Sequence, residues 1–172
     1  MGLGKKEEFC LHRLRGILGK VVKSLKSKSQ ESLTTDILET VKDSKIKPEL
    51  LGRATAESLL LANYDFIKYL SKEKQEKKKS VQFASILWTN KSSDFESGLK
   101  TGGIIADSTN FARDLVNEPA NVVTSEYMEK EAKKLAANFP KLKVKVLNKS
   151  EMEKLGMNAL LGVNAGSDVP PK

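Results

Sequence analysis

The side chains that most often perform chemistry are few in this 172-residue sequence, and their spacing does not bring them together. The one histidine, His12, lies two residues from the one cysteine, Cys10. Residues i and i+2 of a helix do not share a face, so a His–Cys metal or thiol centre is not expected. Nothing near His12 would orient it as the base of a nucleophilic triad. Carboxylates occur in pairs, Glu7/Glu8, Glu129/Glu131 and Glu151/Glu153, each among lysines at a helix start or face. There they complement the helix dipole and neighbouring cations rather than divide acid and base roles. No cluster of Asp, Glu and His has metal-ligand spacing. The glycines at 102–103 and 162–166 belong to no Walker loop and to no G-x-G-x-x-G after a strand. Arg113 and Asp114 read as ion-pairing residues on a helix surface rather than as groups that touch a substrate. The residues themselves therefore assign no catalytic, no cofactor-binding and no metal-binding position.

The elements that would have to position any site are clearer. Residues 9–27 form an amphipathic pattern, with Leu11, Leu14, Ile17, Leu18, Val21, Val22 and Leu25 at three- and four-residue spacing. Arg13, Arg15, Lys20 and Lys23 lie between them, and Gly16 and Gly19 weaken the helix unless a close neighbour requires them. A short strand is expected over 33–38. Pro48 suits the first position of a helix, where its missing N–H costs nothing, and Ala56, Leu59, Leu60, Asn63, Phe66, Ile67 and Leu70 extend that pattern to about Leu70. The run KEKQEKKK (72–79) has no apolar residue and reads as a solvated, mobile connection. Residues 81–88, VQFASILW, read as a strand apolar on both faces, hence inside a covered sheet. Strand, long helix and strand in succession predict an α/β fold with a parallel or mixed sheet flanked by helices.

A long helix is expected from about 94 to 117, with Gly102 and Gly103 as a possible kink. It ends at Asn-Glu-Pro-Ala-Asn. Pro119 removes a helix donor and disfavours the α region at Glu118. Thr124 caps a further helix over 125–138. The alternating LKVKVL (142–147) predicts a strand with one wet face, and Asn148 with Glu151 predicts a capping box ahead of a short helix ending near Gly156. One or two further helical turns are expected beyond Met157.

Composition excludes some classes of function. The chain is 30% charged, with a formal net charge of +8. Residues 1–80 carry 18 Lys/Arg against 11 Asp/Glu, and residues 81–172 carry 12 against 11. A basic first half can attract phosphate backbones or acidic surfaces, but it is lysine-rich and lacks the aromatic interleaving of a base-stacking surface. No apolar run approaches the roughly 20 residues of a membrane span. No secretory signal is evident, and one cysteine forms no intramolecular disulfide, so a cytoplasmic location is expected and no membrane partner.

Several segments carry a resemblance. ARDLVNEPANVVTSEYMEKEAKKLA (112–136), GLGKKEEF (2–9), ESLLLANYDFIKYLS (57–71) and KLGMNALLGVNAGSDVPP (154–171) resemble, in order, passages of the leucyl (cytosol) aminopeptidase family. In that family an Ala-Arg-Asp-Leu-Val-Asn-x-Pro-x-Asn junction is followed by Thr-Pro and a helix, and Gly-Leu-Gly-Lys ends a strand. The resemblance implies a partial N-terminal α/β domain (1–93), a connecting helix (94–117) and the start of a catalytic α/β domain (118–172). It also implies removal of N-terminal residues, often leucine, from peptides, using two divalent metal ions (manganese or zinc) to activate water and polarise the scissile carbonyl. Family members usually form hexamers, and some bind DNA.

Two departures qualify this expectation. Ser125 stands where the family commonly has proline. The family's metal-binding and catalytic motifs, such as Asn-Thr-Asp-Ala-Glu-Gly-Arg, do not occur. The expectation is therefore of a middle piece with an incomplete second domain, binding no metal and inactive alone. The competing expectation is a non-catalytic binding or structural module, acting on nucleic acid or in a larger assembly through its basic residues 1–80.

Overall fold

The computed structural model describes residue 5 and residues 8–40, 44–88 and 92–172. It consists of α1 (Leu11–Ser27), β1 (Ser32–Thr35), α2 (Ile37–Thr40), α3 (Pro48–Asn63), α4 (Lys72–Lys77), β2 (Phe83–Ile86), α5 (Ser93–Asn117), α6 (Ser125–Asn138), α7 (Lys149–Lys154) and α8 (Asn158–Asn164). The chain divides into two compact units, Met1–Asp114 and Leu115–Lys172, so the division falls inside α5. The strand end suggested at residues 2–5 lies outside the described residues apart from Lys5.

In the first unit α1 follows its periodicity. Leu14, Leu18 and Val22, four residues apart, are its buried positions. With Ile37, Leu38, Leu51, Ala54 and Phe95, Leu14 and Leu18 form the core. The strands β1 and β2 pair in parallel, Ser32 opposite Phe83 and Thr35 opposite Ile86, with α2, α3 and α4 in the crossover. The expected βαβ unit and α/β class are therefore present as a small two-stranded parallel sheet.

Several expectations are corrected by the first unit. The strand over 33–38 stops at Thr35. The Thr35 hydroxyl accepts a bond from Ile37 N, and Ile37 and Leu38 turn into α2 and the core. The helix from Pro48 ends at Asn63, not Leu70, because Tyr64 is extended and the Asn63 side chain leaves the helix pattern. Asn63 Nδ2 donates to Val81 O and Asn63 Oδ1 accepts from Val81 N, both at 2.9 Å, tying the helix end to the approach of β2. The lysine run 72–79 contains α4, an exposed helix with a Lys77–Glu73 pair rather than a bare connection. Finally, β2 is not covered on both faces. Ile86 and Trp88 pack on the core, whereas Phe83 is 68% and Leu87 57% exposed.

Helix α5 runs unbroken through Gly102 and Gly103. Gly102 is needed for approach rather than bending. A Cβ there would crowd the backbone of Arg53, one at Gly98 would overlap the Glu49 carbonyl, and one at Gly52 would overlap that of Phe95. These glycines let α3 and α5 touch backbone to backbone.

In the second unit, the turn after Asn117 is closed by Val122 N donating to Pro119 O at 2.9 Å, and the Thr124 hydroxyl caps α6 at Tyr127 N. Asn148 and Glu151 form the expected capping box on α7, which gives way to Gly156 at φ +68°. The strand expected at 142–147 is absent. Its residues carry no sheet pairing, and alternation alone does not hold an unpartnered segment in a sheet.

Candidate functional site

The first unit contains a groove of about 440 Å³ between α1 and α3. Its α1 wall is Arg15, Gly16, Gly19, Lys20 and Lys23, which recur at helical spacing on one side of the helix. Its α3 wall is Glu57, Ser58, Leu61 and Ala62, and Tyr64 and Arg113 close one end. Its apolar lining is Leu61, Ala62 and the two glycines, of which Gly19 faces Ala62, and the rest of its lining is mostly cationic.

A charge node braces one wall. Glu57, 10% exposed at its side chain, accepts from Arg15 Nη2 at 2.7 Å and Nε at 3.1 Å, and from Arg53 Nε at 2.7 Å. Burial would raise the Glu57 pKa, but the hydrogen bonds and charges of Arg53 and Arg15 outweigh it and hold the carboxyl below its ordinary value. One carboxylate is thereby shared by two guanidinium groups, and the node stays net positive. Among the described residues no carboxylate pairs with Lys20, Lys23 or Arg113.

The other end is a clasp. The Arg113 guanidinium carbon lies 3.9 Å from the centre of the Tyr64 ring, and its Nη1 donates to Leu61 O and Asn110 Oδ1, both at 3.1 Å. The Tyr64 hydroxyl donates to Asp114 Oδ1 at 2.7 Å. This corrects the surface ion-pair reading of Arg113 and Asp114. Neither makes an ion pair among the described residues, and both hold Tyr64, where α3 ends.

The other candidates do not converge. His12 and Cys10 are exposed, and the described residues contain no group of three or more His, Cys, Asp or Glu that could hold a metal ion. The two divalent ions expected from the resemblance therefore do not fit the described donor set. Of the carboxylates in these pairs, Glu8, Glu129, Glu131 and Glu151 have local structural partners. Glu8 pairs with Arg13 at 3.0 Å, and Glu7 lies outside the described residues. Glu129 is held below its ordinary pKa by Lys133 and Lys172. Glu131 pairs with Lys134, whose pKa it raises, and Glu151 completes the α7 cap. From the sequence, Arg15, Lys20 and Lys23 read as the polar positions of a helix and no more. The pair of glycines inside that helix was a signal that the sequence attributes to close packing instead. A Cβ at Gly16 would have no atom within 4 Å, and one at Gly19 would meet only the Ala62 Cβ at 3.9 Å, so the close packing expected to explain them is missing at Gly16 and slight at Gly19.

Comparison with known proteins gives a consistent likeness. Residues 1–73 match the N-terminal domain of the cytosol aminopeptidase family, and residues 110–172 match the catalytic domain of that family. A probable cytosol aminopeptidase of Alkaliphilus metalliredigens is 36% identical over 174 residues, covering 100% of this chain and 34% of the relative. One from Bacillus subtilis is 33% identical over 173 residues, with the same coverage. The chain spans about a third of the length of the curated relatives it matches. Among solved structures, the bottromycin maturation enzyme BotP superposes with a TM-score of 0.80 at 24% identity, over 98% of this chain and 34% of that one. A mutant of tomato leucine aminopeptidase gives 0.76 at 22% identity, over 92% of this chain and 31% of that one. At these identities the two structures speak for the fold alone.

Proposed function

Because the chain belongs to the cytosol aminopeptidase family, a family of peptidases, we propose that it is part of a metal-dependent leucyl aminopeptidase that removes N-terminal amino acids from peptides. The carrying observation is the order of the two family-domain matches, 1–73 ahead of α5 and 110–172 beginning within its last turns. In this reading residues 1–93 belong to the N-terminal α/β domain, 94–117 are the connecting helix, and 118–172 begin the catalytic domain. Two divalent ions, manganese or zinc, supply the hydrolytic chemistry, outside this chain. Support for divalent metal use is the family itself and the like-folded BotP, which has a structure in complex with manganese. The complete protein is read as a cytoplasmic hexamer acting on peptides. No helix among the described residues is long and apolar enough to cross a membrane.

The chain's own contribution is mechanical. The glycine contacts and the Tyr64 clasp fix α5 to α3, so the helix leading toward the catalytic portion starts from a rigid base. The chain alone supplies no step of hydrolysis. Sequencing the transcript across both ends of this reading frame tests the proposal. The expected result is an in-frame continuation into Asn-Thr-Asp-Ala-Glu-Gly-Arg. A stop codon directly after Lys172, with a stable 172-residue product in cells, would overturn it in favour of a non-catalytic binding module.

A further inference from the structure

Gly16 and Gly19 lie in the interior of α1, where each glycine destabilises a helix by roughly 0.5–1 kcal/mol relative to alanine. No packing at Gly16 explains this, and at Gly19 there is one ordinary contact. Both line the groove, so their effect is to open its floor to whatever lies there. Above that floor stand Lys20, Lys23 and Arg113 without carboxylate partners among the described residues, while Arg15 shares Glu57 with Arg53. An apolar stretch at Gly16 and Gly19 beside three cations without carboxylate partners calls for an elongated occupant that combines apolar side chains with anionic groups.

We propose that the α1–α3 groove binds a short acidic peptide segment, with an apolar side chain over Gly16 and Gly19 and carboxylates reaching Lys20, Lys23 and Arg113. Scale supports this occupant. Gly16 to Lys23 spans about 10 Å of helix at 1.5 Å per residue, which an extended peptide covers in about three residues. A single inorganic anion would meet only one end of that span. Nucleic acid fits less well, because the groove's one aromatic ring, Tyr64, already has a face covered by Arg113 and no other ring is offered for stacking.

Fluorescence polarisation with a labelled peptide of core Asp-Leu-Leu-Glu, titrated with the full 172-residue chain, tests this directly. Binding is expected to weaken with salt and to fall about tenfold in a Lys20→Glu, Lys23→Glu double variant. Gly16→Leu should abolish binding by filling the floor, while its melting temperature equals or exceeds the parent's, which separates a blocked groove from a damaged fold. Control peptides of core Lys-Leu-Leu-Lys and Asp-Ser-Ser-Glu should bind weakly. Unchanged binding to Gly16→Leu, equal binding of Asp-Ser-Ser-Glu, or tighter binding of a labelled DNA duplex through the same lysines would each overturn the assignment.

Discussion

Arg113 and Tyr64, 49 positions apart in the chain, stack with the guanidinium carbon 3.9 Å from the ring centre, while the neighbouring Asp114 accepts a hydrogen bond from the Tyr64 hydroxyl at 2.7 Å. One tyrosine at the end of α3 is thus held by two consecutive residues of α5. Adjacent helix positions point in different directions, and the clasp works because one residue covers the ring and the other reaches its hydroxyl.

The clasp predicts coupling between sites. Tyr64→Phe and Asp114→Ala remove the same hydrogen bond, so each should cost about 0.5–1 kcal/mol and the double variant little more than either alone. Arg113→Lys should cost a similar amount, because an ammonium does not reproduce planar stacking. Urea denaturation of the four variants measures these differences. Fully additive effects would show that the three groups do not act together.

Glycines of α5 should behave oppositely according to what they touch. Gly98→Ala forces a methyl into the Glu49 carbonyl and is expected to destabilise by about 3 kcal/mol. Gly103→Ala meets nothing within 4 Å and should stabilise by about 0.5–1 kcal/mol, since alanine favours the helix. Thermal melts of the pair provide the comparison.

The Glu57 node predicts a pH dependence of defined sign. The folded pKa of Glu57 lies below its ordinary value. Its contribution is therefore full above the unfolded pKa and is lost as pH falls through the lower, folded one. Glu57→Gln should cost about 1–2 kcal/mol at neutral pH, with Arg15 and Arg53 partly solvated. The gap between parent and variant should close as pH falls below the ordinary glutamate range. Denaturation midpoints measured across acid pH give the test.

Asn148→Ala should remove about 1 kcal/mol from α7 through loss of its cap. Hydrogen exchange at Glu151 and Met152 would report it locally, with α1 and α3 unaffected.

What could be read from the sequence was what depends on near neighbours. The bounds of α1 follow from Leu14, Leu18 and Val22 at four-residue intervals, and the α7 capping box from Asn148 and Glu151 three apart. Beyond the parallel pairing of β1 and β2, several features that depend on distant partners were misread. Asn63 looked like part of a helix face, but its amide pairs with Val81, 18 residues on. LKVKVL alternates as a strand should, yet alternation does not provide a partner. The groove was hidden for the same reason. Lys20 and Lys23 are visible as charges, but only the packing of α1 on α3 sets them over Leu61 and Ala62. The family resemblance rested instead on collinear motifs, which need no geometry, and the domain matches agree with it.

The central claim is that this chain carries the family's scaffold without its metal chemistry. Release of nitroaniline from leucine p-nitroanilide by the purified chain, with manganese or zinc ions added and its helical circular dichroism verified, tests that claim most directly. The account predicts a rate equal to the enzyme-free blank with either metal. Turnover that requires the metal and disappears with a chelator would contradict it.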